Sequence, residues 1–144
     1  MNSEVELANL LYRYTEYIDT GDFAAAAALF TRAKIKIRGG RIIESAELLT
    51  IWERFIIRYP DGTPRTKHVI SNPIIEVDES ADTATIRSYY TVFQEGGGLL
   101  YPVVAGRYHD WFERADGVWR WSFRDYSLMD LVGDMTRHAS GTTE

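Results

Sequence analysis

The N-terminal part of the chain places apolar residues three or four positions apart, which is the spacing of an amphipathic helix. This pattern predicts a first helix over residues 3–18, and Tyr14 should point from its apolar face into the protein. The residues of that face are Leu7, Leu11, Tyr14 and Ile18. The same spacing predicts two further helices, over residues 23–30 and 45–59. Ser3 and Ser45 are the expected N-caps of the first and third helices.

Alternation of apolar and polar residues, the pattern of a half-buried strand, follows the helices. It occupies one short segment, residues 34–38, and four longer ones: 66–77, 83–94, 99–114 and 118–127. The short separators are rich in Gly and Asp, so neighbouring long strands should pair antiparallel. Pro73 cannot donate to a strand ladder and should mark an edge or a bulge. Helices followed by a meander predict an α+β domain, a curved antiparallel sheet with helices over one face.

The chain of 144 residues has the length of a single domain. We place its core at about residues 3–127 and a tail at residues 128–144. The apolar segment LMDLV of the tail should pack on the sheet or on a neighbouring molecule, and HASGTTE is expected to be disordered.

Composition and charge narrow the functional classes. A net charge of −5 argues against a nucleic-acid surface, and the chain has no cysteine for disulfides or thiolate chemistry. It carries neither a signal peptide nor an apolar segment of membrane length, so we expect a cytoplasmic protein. The aromatic content of 13% suits either a ligand pocket or a core and interface. Several aromatic residues of the last strands predict an apolar sheet face that forms a homo-oligomer, a dimer or trimer: Tyr89, Trp111, Trp119, Trp121 and Phe123.

The end of the first helix contains a carboxylate without an evident structural role. Gly21 is a helix stop, because glycine accepts the left-handed conformation that ends many helices. Asp22 is placed to cap the following helix. Asp19, one turn earlier, is not placed to cap a helix and is therefore a candidate catalytic residue.

His68 is the most informative histidine of the chain. Strand alternation puts it on one face with Ile70, Asn72 and Ile74, so the imidazole should be partly buried and in need of a partner. From this pattern alone, a satisfied core histidine and a catalytic one both remain open. Trp52 on the third helix is similarly either a core residue or a pocket wall.

Several segments together resemble a known family. A first helix that ends in Asp19, the Gly21-Asp22 pair, an Ala-rich second helix and a closing Leu29-Phe30 are similar to the SnoaL-like branch of the nuclear transport factor 2-like superfamily. The segments TKHVISN, GRYHDWFER and DGVWRW extend the resemblance over about residues 3–127. The resemblance implies a cone-shaped sheet that, with three N-terminal helices, encloses a hydrophobic pocket.

The resemblance also implies roles for individual residues. Scytalone dehydratases and a bacterial dehydrochlorinase of this superfamily place a His beside an Asp at the positions of His68 and Asp19, so these two are the expected catalytic dyad. Steroid isomerases and bile-acid dehydratases carry a Tyr at the position of Tyr14, where it can donate a hydrogen bond to a ligand. The candidate pocket residues are Trp52, Ile70, Asn72 and Tyr108.

The chain departs from these relatives in two places. The segment KIKIRGG lacks the carboxylate base of the steroid isomerases, and Ile37 takes the place of a Tyr in scytalone dehydratase. A second pocket histidine is not evident, since His109 should be exposed or at an interface and His138 lies in the tail. Three charged residues of the last strands should pair with each other or with a substrate carboxylate: Arg107, Asp110 and Arg124.

We therefore expect a cofactor-free lyase or isomerase, dehydratase-like, that acts on a small hydrophobic cyclic or aromatic molecule. No motif for a metal or a phosphate-bearing cofactor is present in the sequence. Two alternatives remain, a non-catalytic ligand-binding or assembly protein of the dioxygenase small-subunit type and a polyketide-type cyclase.

Overall fold

The computed structural model describes residues 2–140 and shows an α+β fold with helices packed against a curved sheet. The helices are α1 (Ser3–Asp19), α2 (Phe23–Ala28) and α3 (Ser45–Phe55). The strands are β1 (Lys34–Lys36), β2 (Ile42–Ile43), β3 (Thr66–Asp78), β4 (Thr83–Gly96), β5 (Leu99–Ala115), β6 (Val118–Asp125) and β7 (Leu131–Val132). No helix within these residues is long and apolar enough to cross a membrane.

The strands form one sheet in the order β2-β1-β6-β5-β4-β3, with β7 paired to β5. The long strands pair antiparallel as predicted, but β1 runs parallel to β6, so the sheet is mixed rather than wholly antiparallel. Parallel strands need a long connection, and the chain between β1 and β6 supplies one. Strand β3 lies at an open edge of the sheet, where one side of its backbone lacks a strand partner.

The predicted helix ends are partly correct. Asp22 caps α2 by accepting a hydrogen bond from the Ala25 N–H, as expected. At α1, however, Asn2 is the N-cap, and Ser3 is the first helical residue. No side chain caps α3, which ends at Phe55 because Ile56 turns extended and forms an isolated β-bridge with Ala139.

A bulge in β3 overturns the predicted face of this strand. The pairing with β4 shifts between Ser71 and Ile74, and Asn72 adopts a positive φ of 40°. The extra residue inverts the alternation, so Asn72 and Ile74 face solvent instead of sharing the inner face with His68. The prediction of an edge or bulge at Pro73 is thereby confirmed.

A second bulge divides the aromatic residues of β6. The register with β5 skips Ser122, so Trp121 and Arg124 both face the core while Phe123 packs edge-on against Trp111 on the outer face. The prediction that Trp119 and Trp121 belong to an open face was therefore wrong, since both are buried.

The tail is more ordered than predicted. Strand β7 pairs with β5, and the following segment docks on the end of α3. There the Ile57 N–H donates to the His138 carbonyl at 3.0 Å, and the Ser140 N–H donates to the Phe55 carbonyl at 2.8 Å. The expected disorder of HASGTTE is wrong for residues 138–140, and residues 141–144 lie outside the described part of the chain.

Candidate functional site

Asp19 and His68 are in direct contact, as the sequence suggested. Asp19 Oδ1 lies 2.7 Å from His68 Nδ1. The same oxygen accepts the Thr66 hydroxyl at 2.8 Å, while Oδ2 accepts the main-chain N–H of His68 at 2.8 Å. Both side chains are almost buried, with 8% of Asp19 and 6% of His68 exposed. The carboxylate therefore fixes the ring at Nδ1, and Nε2 makes no hydrogen bond to any described residue.

Local structure explains this contact. The turn after α1 requires a positive φ of 83° at Gly21, and a Cβ there would lie 2.1 Å from the Gly62 carbonyl oxygen. Glycine thus allows the end of α1 to approach the loop that leads into β3. Because β3 is an edge strand, the His68 N–H has no strand partner on that side, and the Asp19 carboxylate supplies the acceptor.

Tyr14 lies beside this pair and begins a cluster of hydroxyl groups. Its ring stands edge-on to His68, with 6.3 Å between the ring centroids. The Tyr14 hydroxyl donates to Tyr126 at 3.2 Å and lies 3.3 Å from the Tyr108 hydroxyl. Trp52 Nε1 also donates to the Tyr126 hydroxyl, at 3.2 Å. Tyr14, Trp52 and Tyr108 are therefore joined in one polar network inside the aromatic core.

Burial disfavours the charged form of two of these phenols. It raises the pKa of both Tyr14 and Tyr108 well above the usual value, because a phenolate would be poorly solvated there. Tyr90, which stacks on Tyr108 at a centroid distance of 4.2 Å, has its pKa raised for the same reason. At neutral pH these phenols act as hydrogen-bond donors rather than bases.

A buried ion pair supports the tyrosines from the sheet. Arg124 Nε and Nη2 donate to the two Asp110 oxygens at 2.7 and 3.2 Å. The guanidinium carbon lies 3.8 Å from the ring centroid of Tyr108 and 4.3 Å from that of Tyr14. Of the three charged residues, Arg124 and Asp110 pair with each other as predicted, whereas Arg107 pairs with Asp130 at the surface.

An apolar cavity of about 430 Å³ opens beside α3. Its walls include Leu48, Ile51 and Phe55 of α3, and Tyr126 joins it to the hydroxyl network. Arg38 and Arg41 also line it, and none of the lining residues is acidic. Asp19 and His68 are not among the wall residues, so the cavity meets the candidate dyad through the tyrosines rather than directly.

His138, which sequence reasoning discounted, is buried near the dyad. Burial, followed by the effect of the nearby His68, lowers the pKa of His138 to about 4. Its Nδ1 is buried and has no partner within residues 2–140. The two residues after it, Ala139 and Ser140, line the cavity. Strand periodicity could not reveal this position, because it depends on how an irregular tail docks.

The other predicted site residues divide between interior and surface. Trp52 and Tyr108 are buried, and Ile70 packs partly buried against the core. Asn72 is exposed at the bulge and lines a shallow outer depression with His109, so its predicted place in the interior pocket was wrong. Tyr126 was missed because the predicted strand over residues 118–127 placed it on the face opposite Trp119 and Trp121, whereas β6 ends at Asp125. Within residues 2–140, no three His, Asp or Glu side chains cluster in a way that suits a metal ion.

The family follows from the match of residues 1–125 to the model of the SnoaL-like domain. The chain belongs to the SnoaL-like family, with the nuclear transport factor 2-like fold that the structure displays. No curated protein matches the chain by sequence.

Solved structures show how widely this fold is used. A nuclear transport factor 2-like protein with a cystatin-like fold from Novosphingobium aromaticivorans matches with a TM-score of 0.71 and 21% identity, over 88% of this chain and 82% of the other. A candidate scytalone dehydratase of the same organism matches with a TM-score of 0.69 and 18% identity, over 98% of this chain and 95% of the other. The beta subunit of a candidate aromatic-ring-hydroxylating dioxygenase, again from that organism, matches with a TM-score of 0.68 and 16% identity, over 93% of this chain and 94% of the other. At these identities the likeness shows the fold alone.

Proposed function

We propose that the protein is a cofactor-free lyase or isomerase, dehydratase-like, that uses His68 as a general base on a small cyclic or aromatic substrate. The observation that carries this proposal is the 2.7 Å contact between Asp19 Oδ1 and His68 Nδ1 in a nearly buried setting. A carboxylate there holds the ring in the tautomer that keeps a lone pair on Nε2, and it stabilises the imidazolium that forms when Nε2 takes a proton.

The surroundings of the dyad suit abstraction of a proton next to a carbonyl group. Such a reaction builds negative charge on the carbonyl oxygen, which donors fixed in a dry site stabilise. The cluster of phenols formed by Tyr14, Tyr108 and Tyr126 offers a donor of this kind, and the apolar cavity beside it has room for a small ring. Loss of a leaving group, or return of the proton at another carbon, would then complete elimination or isomerisation.

A non-catalytic ligand-binding or assembly role is the second candidate. It is favoured by one observation, that Asp19 and His68 do not line the cavity, so a ligand there could bind without reaching Nε2. The dioxygenase beta subunit among the structural neighbours shows that the fold also occurs in a subunit of a larger enzyme. A polyketide-type cyclase would use the same His and Asp and differs in substrate rather than in the role of the base.

Proton abstraction can be tested without knowing the natural substrate. A panel of small cyclic and aryl ketones is incubated with the protein in D₂O, and deuterium uptake next to the carbonyl is followed by NMR. We expect exchange above the buffer rate for at least one ketone and a loss of roughly 10²–10⁴ in His68→Gln, the usual worth of a general base. His109→Gln, on the outer face of β5, is the matched control and should retain the wild-type rate.

Two results would remove the enzyme proposal. One is exchange that is equal in the wild type and in His68→Gln. The other is a ligand that binds in the cavity with unchanged affinity in His68→Gln while no ketone exchanges above the buffer rate, which would establish the binding role instead.

A further inference from the structure

The hydroxyl of Tyr126 receives two hydrogen bonds and has a proton of its own left over. Its oxygen accepts from the Tyr14 hydroxyl and from Trp52 Nε1, each at 3.2 Å. A phenol has two acceptor positions and one donor proton. Both acceptor positions are therefore occupied, and no described residue accepts the Tyr126 proton. Tyr126 is also a wall residue of the apolar cavity.

Counting protons in the same way shows which hydroxyl is the donor in each contact of the cluster. Since Tyr14 spends its single proton on Tyr126, the Tyr108 hydroxyl must be the donor in its 3.3 Å contact with Tyr14. The chain of donors runs from Tyr108 through Tyr14 to Tyr126. Hydrogen bonds in such a chain polarise one another, so the last donor is stronger than an isolated phenol.

Charge near the cluster favours an electron-rich partner at the end of the chain. The Arg124 guanidinium carbon lies within 3.8, 4.3 and 5.6 Å of the ring centroids of Tyr108, Tyr14 and Tyr126. This cation stabilises negative charge that is shared along the phenols, although Asp110 balances part of it. At the cavity wall, Arg38 adds a further positive charge, whereas the charge of Arg41 is balanced by an ion pair with Glu47.

We propose that Tyr126 is the ligand-facing donor of the site and that it binds an anionic or carbonyl oxygen attached to a small aromatic or cyclic ligand. This inference rests on the proposed function in taking the ligand to contain a ring. It does not depend on His68 acting as a base. Both contacts of Tyr14 are longer than the 2.7–2.8 Å common for hydroxyl pairs. An oxyanion that accepts the Tyr126 proton would shorten the hydrogen bonds between the phenols, and the cavity walls would contact the ring of the ligand.

The test uses a pair of matched probes, 4-nitrophenolate and 4-nitroanisole. They share the nitroaryl ring, but the second carries a methyl ether in place of the anionic oxygen. Binding is followed by the absorbance of the probe, at a pH above the pKa of nitrophenol. We expect the wild type to bind the phenolate more tightly than the ether. Tyr126→Phe should lose roughly 10- to 100-fold in phenolate affinity, the usual worth of a hydrogen bond to a charged group.

Controls separate a donor from a structural wall. Tyr126→Phe should bind the ether as the wild type does, and Tyr14→Phe should weaken phenolate binding by a smaller factor because it only interrupts the chain. Tyr89→Phe, on the outer face of the sheet, is the matched control and should change neither affinity. Phenolate affinity within twofold of wild type in Tyr126→Phe would overturn the inference. Equal losses for both probes, or no phenolate binding by the wild type, would overturn it as well.

The result of the probe-binding experiment does not depend on whether the protein is a catalyst. Probe binding involves no proton abstraction, so a failure of His68 in the deuterium experiment leaves the Tyr126 result standing. Conversely, exchange that depends on His68 would support the proposed function even if the probes show that Tyr126 does not bind the phenolate oxygen.

Discussion

One carboxylate, Asp19, holds both the ring and the main chain of His68. Its Oδ1 lies 2.7 Å from Nδ1, and its Oδ2 accepts the His68 N–H at 2.8 Å. The second contact fixes the strand position of the histidine, and the first fixes the rotation and tautomer of its ring. Asp19 therefore ties α1 to the edge of the sheet at the same place where it prepares the imidazole.

The first prediction concerns Asp19→Asn. The amide keeps one oxygen as an acceptor but cannot stabilise an imidazolium by its charge, so deuterium exchange should fall roughly 10²-fold or more. Stability should fall by about 1–3 kcal/mol, because a buried partner is lost at Thr66 or at the His68 N–H. The readouts are exchange by NMR and urea unfolding.

Asp22→Asn is the control for this variant, since it makes the same chemical change three residues away. Asn is as good an N-cap as Asp, so the cap on Ala25 should persist and neither exchange nor stability should change much. An Asp19→Asn protein that loses stability but keeps the full exchange rate would show that Asp19 is a structural tie alone.

The second prediction concerns the buried ion pair. Only 1% of Arg124 and 0% of Asp110 side-chain surface is exposed. Asp110→Asn leaves a buried guanidinium without its counter-charge, and this should cost about 3–5 kcal/mol of unfolding free energy. Asp130→Asn breaks the exposed pair with Arg107 and should cost under about 1 kcal/mol. Equal, small costs in urea unfolding would contradict the prediction.

The sequence could predict most elements because their signal is local. Apolar spacing at three and four residues identified the helices, and the short Gly- and Asp-rich separators identified the antiparallel meander. Asp19 was recognisable because Asp22, rather than Asp19, had the geometry to cap α2. His68 was recognisable through its strand face together with the family resemblance.

What the sequence could not predict depends on single irregular residues. The bulges at Asn72 and Ser122 each invert the strand face beyond them, so Asn72 and Phe123 moved outward and Arg124 inward. Of these, only the first had a sequence signal, Pro73. Tyr126 lies at the end of the predicted strand, beyond the point where β6 stops, and His138 lies in a segment without periodicity. Their places are set by long-range contacts with Trp52 and with the end of α3.

The third prediction is a pH dependence of stability from His138. Its pKa falls from an ordinary 6.5 to about 4 in the folded protein, chiefly by burial. Between these values the unfolded chain binds a proton that the folded chain does not, so stability should be full above pH 6.5 and fall as the pH is lowered toward 4. At 1.36 kcal/mol per pKa unit, the loss is on the order of 3 kcal/mol.

Urea unfolding at several pH values checks this expectation. His138→Gln should flatten the dependence over the same range, whereas His109→Gln should leave it as in the wild type. A His138→Gln protein with the full wild-type slope would show that other groups control acid sensitivity.

The last prediction is that the protein forms a homo-oligomer, a dimer or trimer, through the outer face of its sheet. Although Trp119 and Trp121 are buried, 56% of Tyr89, 42% of Trp111 and 70% of Leu131 remain exposed. These residues lie on β4, β5 and β7, which are connected by strand pairing, so they place exposed apolar side chains on the outer face beside the Arg107–Asp130 ion pair. Exposed apolar groups rimmed by polar residues are typical of an interface. Light scattering at micromolar concentration should give a multiple of 16.5 kDa.

Trp111→Arg should shift the protein toward the monomer, because it places a charge in the apolar contact. Tyr12→Arg, which alters an exposed aromatic residue on α1, should leave the assembly intact. A wild-type protein of monomeric mass would refute the prediction.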